Sequence, residues 1–162
     1  MGSAMRTLAV NVSLLAAYPS PSVTKPDVIP APLEIVAATA RRHGIPTGYM
    51  EEVWMNECSR KLIGERPCRN LKTGERGAFQ MKPIAAEHVG CDWKLLGRPG
   101  MFAYEAECAA RLLAWNEKSC MKVVTPGHTS WTIAQGKYAT GRCTANLDYI
   151  RKIVQRRIAN QG

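Results

Sequence analysis

The sequence lacks most features that mark membrane, metal and redox proteins. No apolar run approaches the roughly 20 residues that a transmembrane helix needs. No Cys-x-x-Cys pair occurs, and none of the histidines, His43, His88 and His128, is spaced with cysteines as zinc ligands are. An internal repeat and a nucleic-acid-binding fingerprint are also missing. These absences predict no integral membrane segment, no metal, no cofactor and no nucleic-acid partner.

Strong strand signals are nearly absent as well, whereas helical periodicity recurs. Apolar residues make up 46% of the 162 residues, which is enough for one sizeable core. The glycines and proline of residues 62–80 predict a loop or a small hairpin. Helices are expected from Leu33 to a stop at Gly44, from about 47 to 57, and over about 83–88, 102–117, 131–138 and 146–158. The fold class is therefore mainly α, with at most a short β-hairpin.

The N-terminal segment is rich in proline. Five of the ten prolines lie between Pro19 and Pro32, and proline fixes φ and lacks an N–H donor, which predicts an extended linker. Residues 1–4 look like a tag remnant. Residues 5–17 resemble a short signal peptide, although Asn11 and Ser13 interrupt the apolar run and no clean cleavage site follows. We therefore predict an N-terminal tag remnant with a possible signal or linker segment at 1–32, and one folded domain at 33–162.

The cysteines are even in number and lack metal-site spacing. This favours disulfides and an oxidising compartment, while buried free thiols are the alternative. Many connectivities are open, and the short loop between Cys58 and Cys68 makes that pair the first choice. The candidates are Cys58, Cys68, Cys91, Cys108, Cys120 and Cys143.

The net charge of +9, with a pI near 9.5, predicts attraction to polyanions. Nucleic acid, anionic lipid and the bacterial cell wall all qualify. The alternative is a basic surface that merely aids solubility.

Glu57 is the first candidate for chemistry. It ends a helical face that also carries Tyr49 and Val53, where burial of a carboxylate is costly. Desolvation there would raise the pKa of its carboxyl, as a general acid working near neutrality requires. The alternative is a salt-bridged surface group at a helix end.

A glycine-containing segment follows. Gly74 and Gly77 permit a tight turn and a close approach of the backbone to a ligand. Gln80 offers both a donor and an acceptor to a sugar hydroxyl or amide. Taken alone, the segment is only a glycine turn that enters a helix.

Four motifs in order resemble a known family. The catalytic domain of the soluble lytic transglycosylases, related to goose-type lysozyme, has a helix ending in Glu-Ser, a loop Gly-Ala-x-Gly-Leu-Met-Gln-(Ile/Met)-x-Pro-x-Ala, a Tyr-Asn-x-Gly segment and a late Tyr. This chain has, in the same order, Glu57-Cys58, GERGAFQMKPIA at 74–85, Tyr138-Ala139-Thr140-Gly141 and Tyr149. The match runs from about residue 33 to 155.

The resemblance implies a lysozyme-like helical domain that cleaves the β-1,4 bond between N-acetylmuramic acid and N-acetylglucosamine in peptidoglycan, forming a 1,6-anhydro sugar. It implies Glu57 as the catalytic acid, and substrate contacts from Gln80, Met81, Tyr138 and Tyr149. We expect Tyr138 to bond or pack near Glu57, and Tyr149 to line the groove, with core packing as the alternative for both tyrosines.

The same resemblance implies an extracytoplasmic location, facing the periplasm or the cell wall. The small, cysteine-rich format is similar to virion-associated or secretion-machinery wall-cutting enzymes. A larger assembly of that kind is therefore a second expected partner beside the glycan strands.

The departures from the family pattern define the alternatives. Cys58 replaces a serine, Ala139 an asparagine, and Glu105 and Ala109 stand where the family has an Asn-x-x-x-Gly pattern. Glu75 usually is an alanine. As a second carboxylate it would allow a hydrolytic lysozyme that uses both Glu57 and Glu75, although a surface ion pair of Glu75 with Arg76 or Lys72 is favoured. A peptidoglycan-binding module without catalysis is the remaining alternative.

Overall fold

The fold is mainly helical, as predicted. A computed structural model describes residues 31–46, 48–58, 69–70, 74–123, 126–145, 148–149, 151–152 and 155. Within these ranges the α-helices are Pro32–Arg42 (α1), Tyr49–Cys58 (α2), Pro83–His88 (α3), Phe102–Cys120 (α4) and Ser130–Thr140 (α5). Short 3-10 turns lie at Trp93–Leu95 and Met121–Val123. The predicted hairpin is a single antiparallel pair of Arg69–Asn70 (β1) with Glu75–Arg76 (β2).

The first helix begins at Pro32. Proline is tolerated there because the N–H group that it lacks would have no partner within the helix. The side chain of Glu34 accepts a hydrogen bond from the backbone N–H of Ala31 at 3.1 Å, which caps the helix. The helical spacing of Leu33, Val36 and Ala40 predicts a buried stripe. Val36 and Ala40 are buried, whereas Leu33, in the first turn of α1, is 47% exposed. The predicted signal or linker segment lies outside the described residues.

Helix α4 is the centre of the core and packs against both α1 and α5. The spacing of its apolar residues in the sequence predicts an inner face, and every residue of that face is buried: Ala106, Ala109, Ala110, Leu112 and Leu113. The alanines allow the neighbouring helices to approach closely, since they add little side-chain volume. This arrangement leaves the end of α5 close to the loops that follow β2.

Disulfides connect α4 to segments on both sides of it. Cys91, just after α3, bonds to Cys108, and Cys120, at the end of α4, bonds to Cys143. Cys58 is disulfide-bonded as well, while its predicted partner Cys68 lies outside the described residues. No free thiol occurs among the described cysteines, so the disulfide prediction is confirmed for them.

The last predicted helix is described only in part. Asp148, Tyr149, Arg151, Lys152 and Gln155 are helical. Its expected apolar stripe lies outside the described residues: Ile150, Ile153, Val154 and Ile158. Within the described part of the chain, no helix combines the length and apolar character required to cross a membrane.

Candidate functional site

A cleft of about 180 Å³ opens where α2, β2, the start of α3 and the end of α5 meet. It brings together four of the residues singled out in the sequence, from four separate segments. These are Glu57, Glu75, Gln80 and Tyr138. The remaining lining comes from Lys82, Leu112, Ala139, Thr140 and Gly141.

Glu57 lies in the last turn of α2, partly exposed and on the cleft. The hydroxyl of Tyr149 donates a hydrogen bond to Oε1 of Glu57 at 3.1 Å. Tyr149 was expected to line the groove, but it is only 7% exposed and is not among the cleft-lining residues. Its ring packs inside the protein, and its hydroxyl orients the Glu57 carboxyl.

Tyr138 occupies the cleft wall on α5. It was expected near Glu57, and it does line the same cleft, but its hydroxyl donates to the backbone oxygen of Phe79 at 2.8 Å. Burial raises the pKa of Tyr138 well above its ordinary value of 10.0, and the nearby charge of Glu57 raises it further. The hydroxyl therefore stays neutral near neutral pH and ties α5 to the glycine-containing loop.

That loop turns tightly between Arg76 and Met81, whose backbones exchange hydrogen bonds of 3.1 and 2.9 Å. Gly77 (φ 81°) and Gln80 (φ 45°) take left-handed conformations, which are costly for glutamine and recur at functional sites. The amide nitrogen of Gln80 donates to the backbone oxygen of Gly77 at 2.7 Å. Gln80 thus lines the cleft and also stabilises its own loop.

Met81 does not fit its predicted role as a substrate-binding residue. Its side chain belongs to the core and is 3% exposed. Met81 is not among the residues that line the cleft, so it supports the loop from the core side.

Glu105 is a buried carboxylate beneath this loop that the sequence analysis noted only as a departure from the family pattern. It is 2% exposed, and its two oxygens accept hydrogen bonds of 2.6 Å from the backbone N–H groups of Ala78 and Gly97. Burial raises the pKa of Glu105, and the two hydrogen bonds offset this only in part. Its spacing could have indicated this burial, because Glu105 lies four residues before the inward-facing Ala109 and therefore on the same face of the helix.

Gly77 leaves the space that Glu105 occupies. A Cβ atom at position 77 would lie 2.7 Å from Oε2 of Glu105. Glycine is therefore required at position 77 for two reasons: the positive φ, and the close approach of the Glu105 carboxylate.

Glu75 has an ion-pair partner that was not among those expected. Its carboxylate lies 3.6 Å from Nζ of Lys82, at the residue that precedes α3. Arg76 instead stacks its guanidinium over the ring of Trp93, 3.7 Å from the ring centre, and Lys72 lies outside the described residues. The sequence did not identify Lys82 as the partner of Glu75, because only the fold brings the two side chains together at the cleft.

Among the described residues, no group of three or more histidines, cysteines, aspartates or glutamates is arranged to hold a metal ion. No protein-family model matches the chain, and comparisons with curated proteins and with solved structures give no significant match. The chemistry of the cleft must therefore be argued from its own residues.

Proposed function

We propose that this chain is a lytic transglycosylase that cuts the glycan strands of bacterial peptidoglycan. The observation that carries the proposal is the partly exposed carboxylate of Glu57 in a polar cleft, held by the hydroxyl of Tyr149 at 3.1 Å. Gln80 and Tyr138, which the resemblance assigns to the substrate site, line the same cleft.

Glu57 would act first as an acid and then as a base. Its proton goes to the glycosidic oxygen as the bond from that oxygen to the anomeric carbon of N-acetylmuramic acid breaks. The N-acetyl group of the same sugar stabilises the cationic centre. The Glu57 carboxylate then takes the proton of the C6 hydroxyl, whose oxygen bonds to the anomeric carbon and closes the 1,6-anhydro ring. The carboxyl is thereby protonated again, and no cofactor is consumed.

The neighbours of Glu57 fit this sequence of steps. The Tyr149 hydroxyl fixes the plane of the carboxyl, so that the same group meets the leaving oxygen and the C6 hydroxyl in turn. Tyr138 and Gln80 brace the loop beside it. The net charge of +9 favours a substrate whose peptide carboxylates, and lactyl carboxylates where no peptide is attached, are negative.

Hydrolysis is the second candidate, and the position of Glu75 favours it. Glu75 lines the same cleft as Glu57, and the ammonium of Lys82 compensates its charge. A pair of carboxylates about a glycosidic bond can divide the roles of acid and base or nucleophile. Water would then end the reaction and leave a free reducing end.

The deciding experiment is mass spectrometry of the products released from purified peptidoglycan. Wild type, Glu57→Gln and Glu75→Gln are compared, with Glu87→Gln on the exposed side of α3 as the matched control. Anhydro-muropeptides that disappear only in Glu57→Gln support the transglycosylase. Reducing-end products lost in both cleft variants establish the hydrolase instead. Binding without any product from wild type identifies a non-catalytic module.

A further inference from the structure

A second, more apolar pocket of about 350 Å³ adjoins the cleft. The two share Leu112, Tyr138 and Gly141 as lining residues, so they lie side by side at Tyr138. We call the second pocket the Trp115 pocket, after the tryptophan of α4 that lines it together with Ile84, His88 and Lys137.

The Trp115 pocket presents large apolar side chains to solvent. Ile84 is 77% exposed and Trp115 is 40% exposed. Exposed apolar side chains that are clustered rather than scattered are characteristic of binding surfaces. The imidazole of His88 contacts Trp115 edge-on, with 4.1 Å between the ring centres, which fixes the tryptophan in place.

Lys137 supplies the charge of the pocket. Its Nζ lies 3.9 Å from the centre of the Trp115 ring and donates a hydrogen bond to Ser119 at 2.7 Å. Within the part of the chain that the structure describes, no carboxylate forms an ion pair with it. Burial lowers the pKa of Lys137, because its ammonium is partly withdrawn from water. An anionic partner would stabilise that charged ammonium.

We infer, on the basis of the proposed function, that the Trp115 pocket binds the peptide substituent of the glycan strand. Lys137 would pair with a carboxylate of that peptide, while Trp115 and Ile84 would cover its small apolar side chains. A sugar fits less well, because the ammonium of Lys137 already lies over the ring of Trp115 on which a sugar would stack.

The position of the pocket agrees with the chemistry of the substrate. The peptide is attached through the lactyl group of N-acetylmuramic acid, the sugar at whose anomeric carbon Glu57 would act. A substituent of that sugar must leave the cleft close to the cut bond, and the Trp115 pocket adjoins the cleft at Tyr138.

Calorimetry with soluble glycan fragments tests this inference. Fragments with intact peptides are compared with the same fragments after an amidase has removed the peptide and the lactyl carboxylate that this exposes has been capped as a methylamide. The Glu57→Gln chain is used to prevent turnover. The intact fragments should bind about tenfold more tightly or better, as one charge-assisted contact predicts. Lys137→Met and Trp115→Leu should each abolish this difference and leave the affinity for stripped fragments unchanged. Lys118→Met, at an exposed position of α4, should have no effect.

Equal affinity of the parent chain for both kinds of fragment would overturn the inference while leaving the proposed function standing. Loss of both affinities in Lys137→Met, with an unchanged melting temperature, would overturn it too. Absence of binding to either fragment would reject the proposed function, and the inference with it.

Discussion

Tyr149 and Glu57 are joined by a hydrogen bond of 3.1 Å although 92 positions separate them in the sequence. The bond connects the C-terminal segment to the last turn of α2. Because the ring of Tyr149 is buried, its hydroxyl cannot swing away from the carboxylate without disturbing the packing around it. The orientation of Glu57 is thus built into the fold before a ligand arrives.

Tyr149→Phe should therefore reduce turnover while the fold is retained. The variant keeps the ring and removes one hydrogen bond, and we expect kcat to fall about tenfold. Steady-state rates on purified peptidoglycan measure this effect, with the melting temperature of each protein as the control for folding. An unchanged kcat with a lowered melting temperature would reduce Tyr149 to a packing role.

Gly77→Ala should be far more damaging than Gly74→Ala. Both glycines have positive φ, but a Cβ at position 74 meets nothing within 4 Å, whereas one at position 77 would overlap Glu105. We expect a loss of about 1 kcal/mol for Gly74→Ala from backbone strain alone, and about 3 kcal/mol for Gly77→Ala. Urea denaturation gives both values. Equal losses would show that Glu105 moves aside freely.

The buried carboxyl of Glu105 should make stability depend on pH. Burial raises the pKa of Glu105 in the folded chain above the ordinary 4.5. The stabilisation that this carboxyl gives to the folded chain is therefore complete below pH 4.5 and declines as the pH rises through the raised pKa. The free energy of unfolding of wild type minus that of Glu105→Gln should follow this decline, since glutamine does not titrate. A difference that rises over this range would contradict the assigned direction.

Glu107 should have the opposite dependence on pH. Burial disfavours its charge, but hydrogen bonds from His43, Arg42 and Arg111 outweigh that effect and lower its pKa below 4.5. These contacts should stabilise wild type over Glu107→Gln by about 1 kcal/mol at pH 7. The advantage should disappear as the pH falls from 4.5 through the lowered pKa. Denaturation at several pH values measures this stability difference, with Glu87→Gln as the control. A difference that persists in acid would contradict the role assigned to the contacts of Glu107.

Much of the framework follows from local pattern in the sequence. The apolar spacing of Ala106, Ala109 and Leu113 marked the buried face of α4, and that face is buried in the structure. The glycines at 74 and 77 marked the turn, since only glycine adopts positive φ without cost. Glu57, Gln80 and Tyr138 were identified by motif, and the fold brings them to one cleft.

The partners of these residues could not be predicted, because they depend on contacts between distant segments. Nothing local distinguishes Lys82 from Arg76 as the partner of Glu75; the turn at 76–81 decides it by sending Arg76 toward Trp93. The hydroxyl of Tyr138 donates to the backbone oxygen of Phe79 and that of Tyr149 to Glu57, and local sequence identifies neither acceptor, for the same reason.

The disulfide between Cys120 and Cys143 lies next to the cleft wall formed by Ala139, Thr140 and Gly141. In a thiol-reducing cell interior such a cross-link stays open, and the wall is then held by noncovalent contacts alone. The shape of this side of the cleft is therefore coupled to the redox state of two thiols. A reductant should loosen it without altering any residue that lines the cleft.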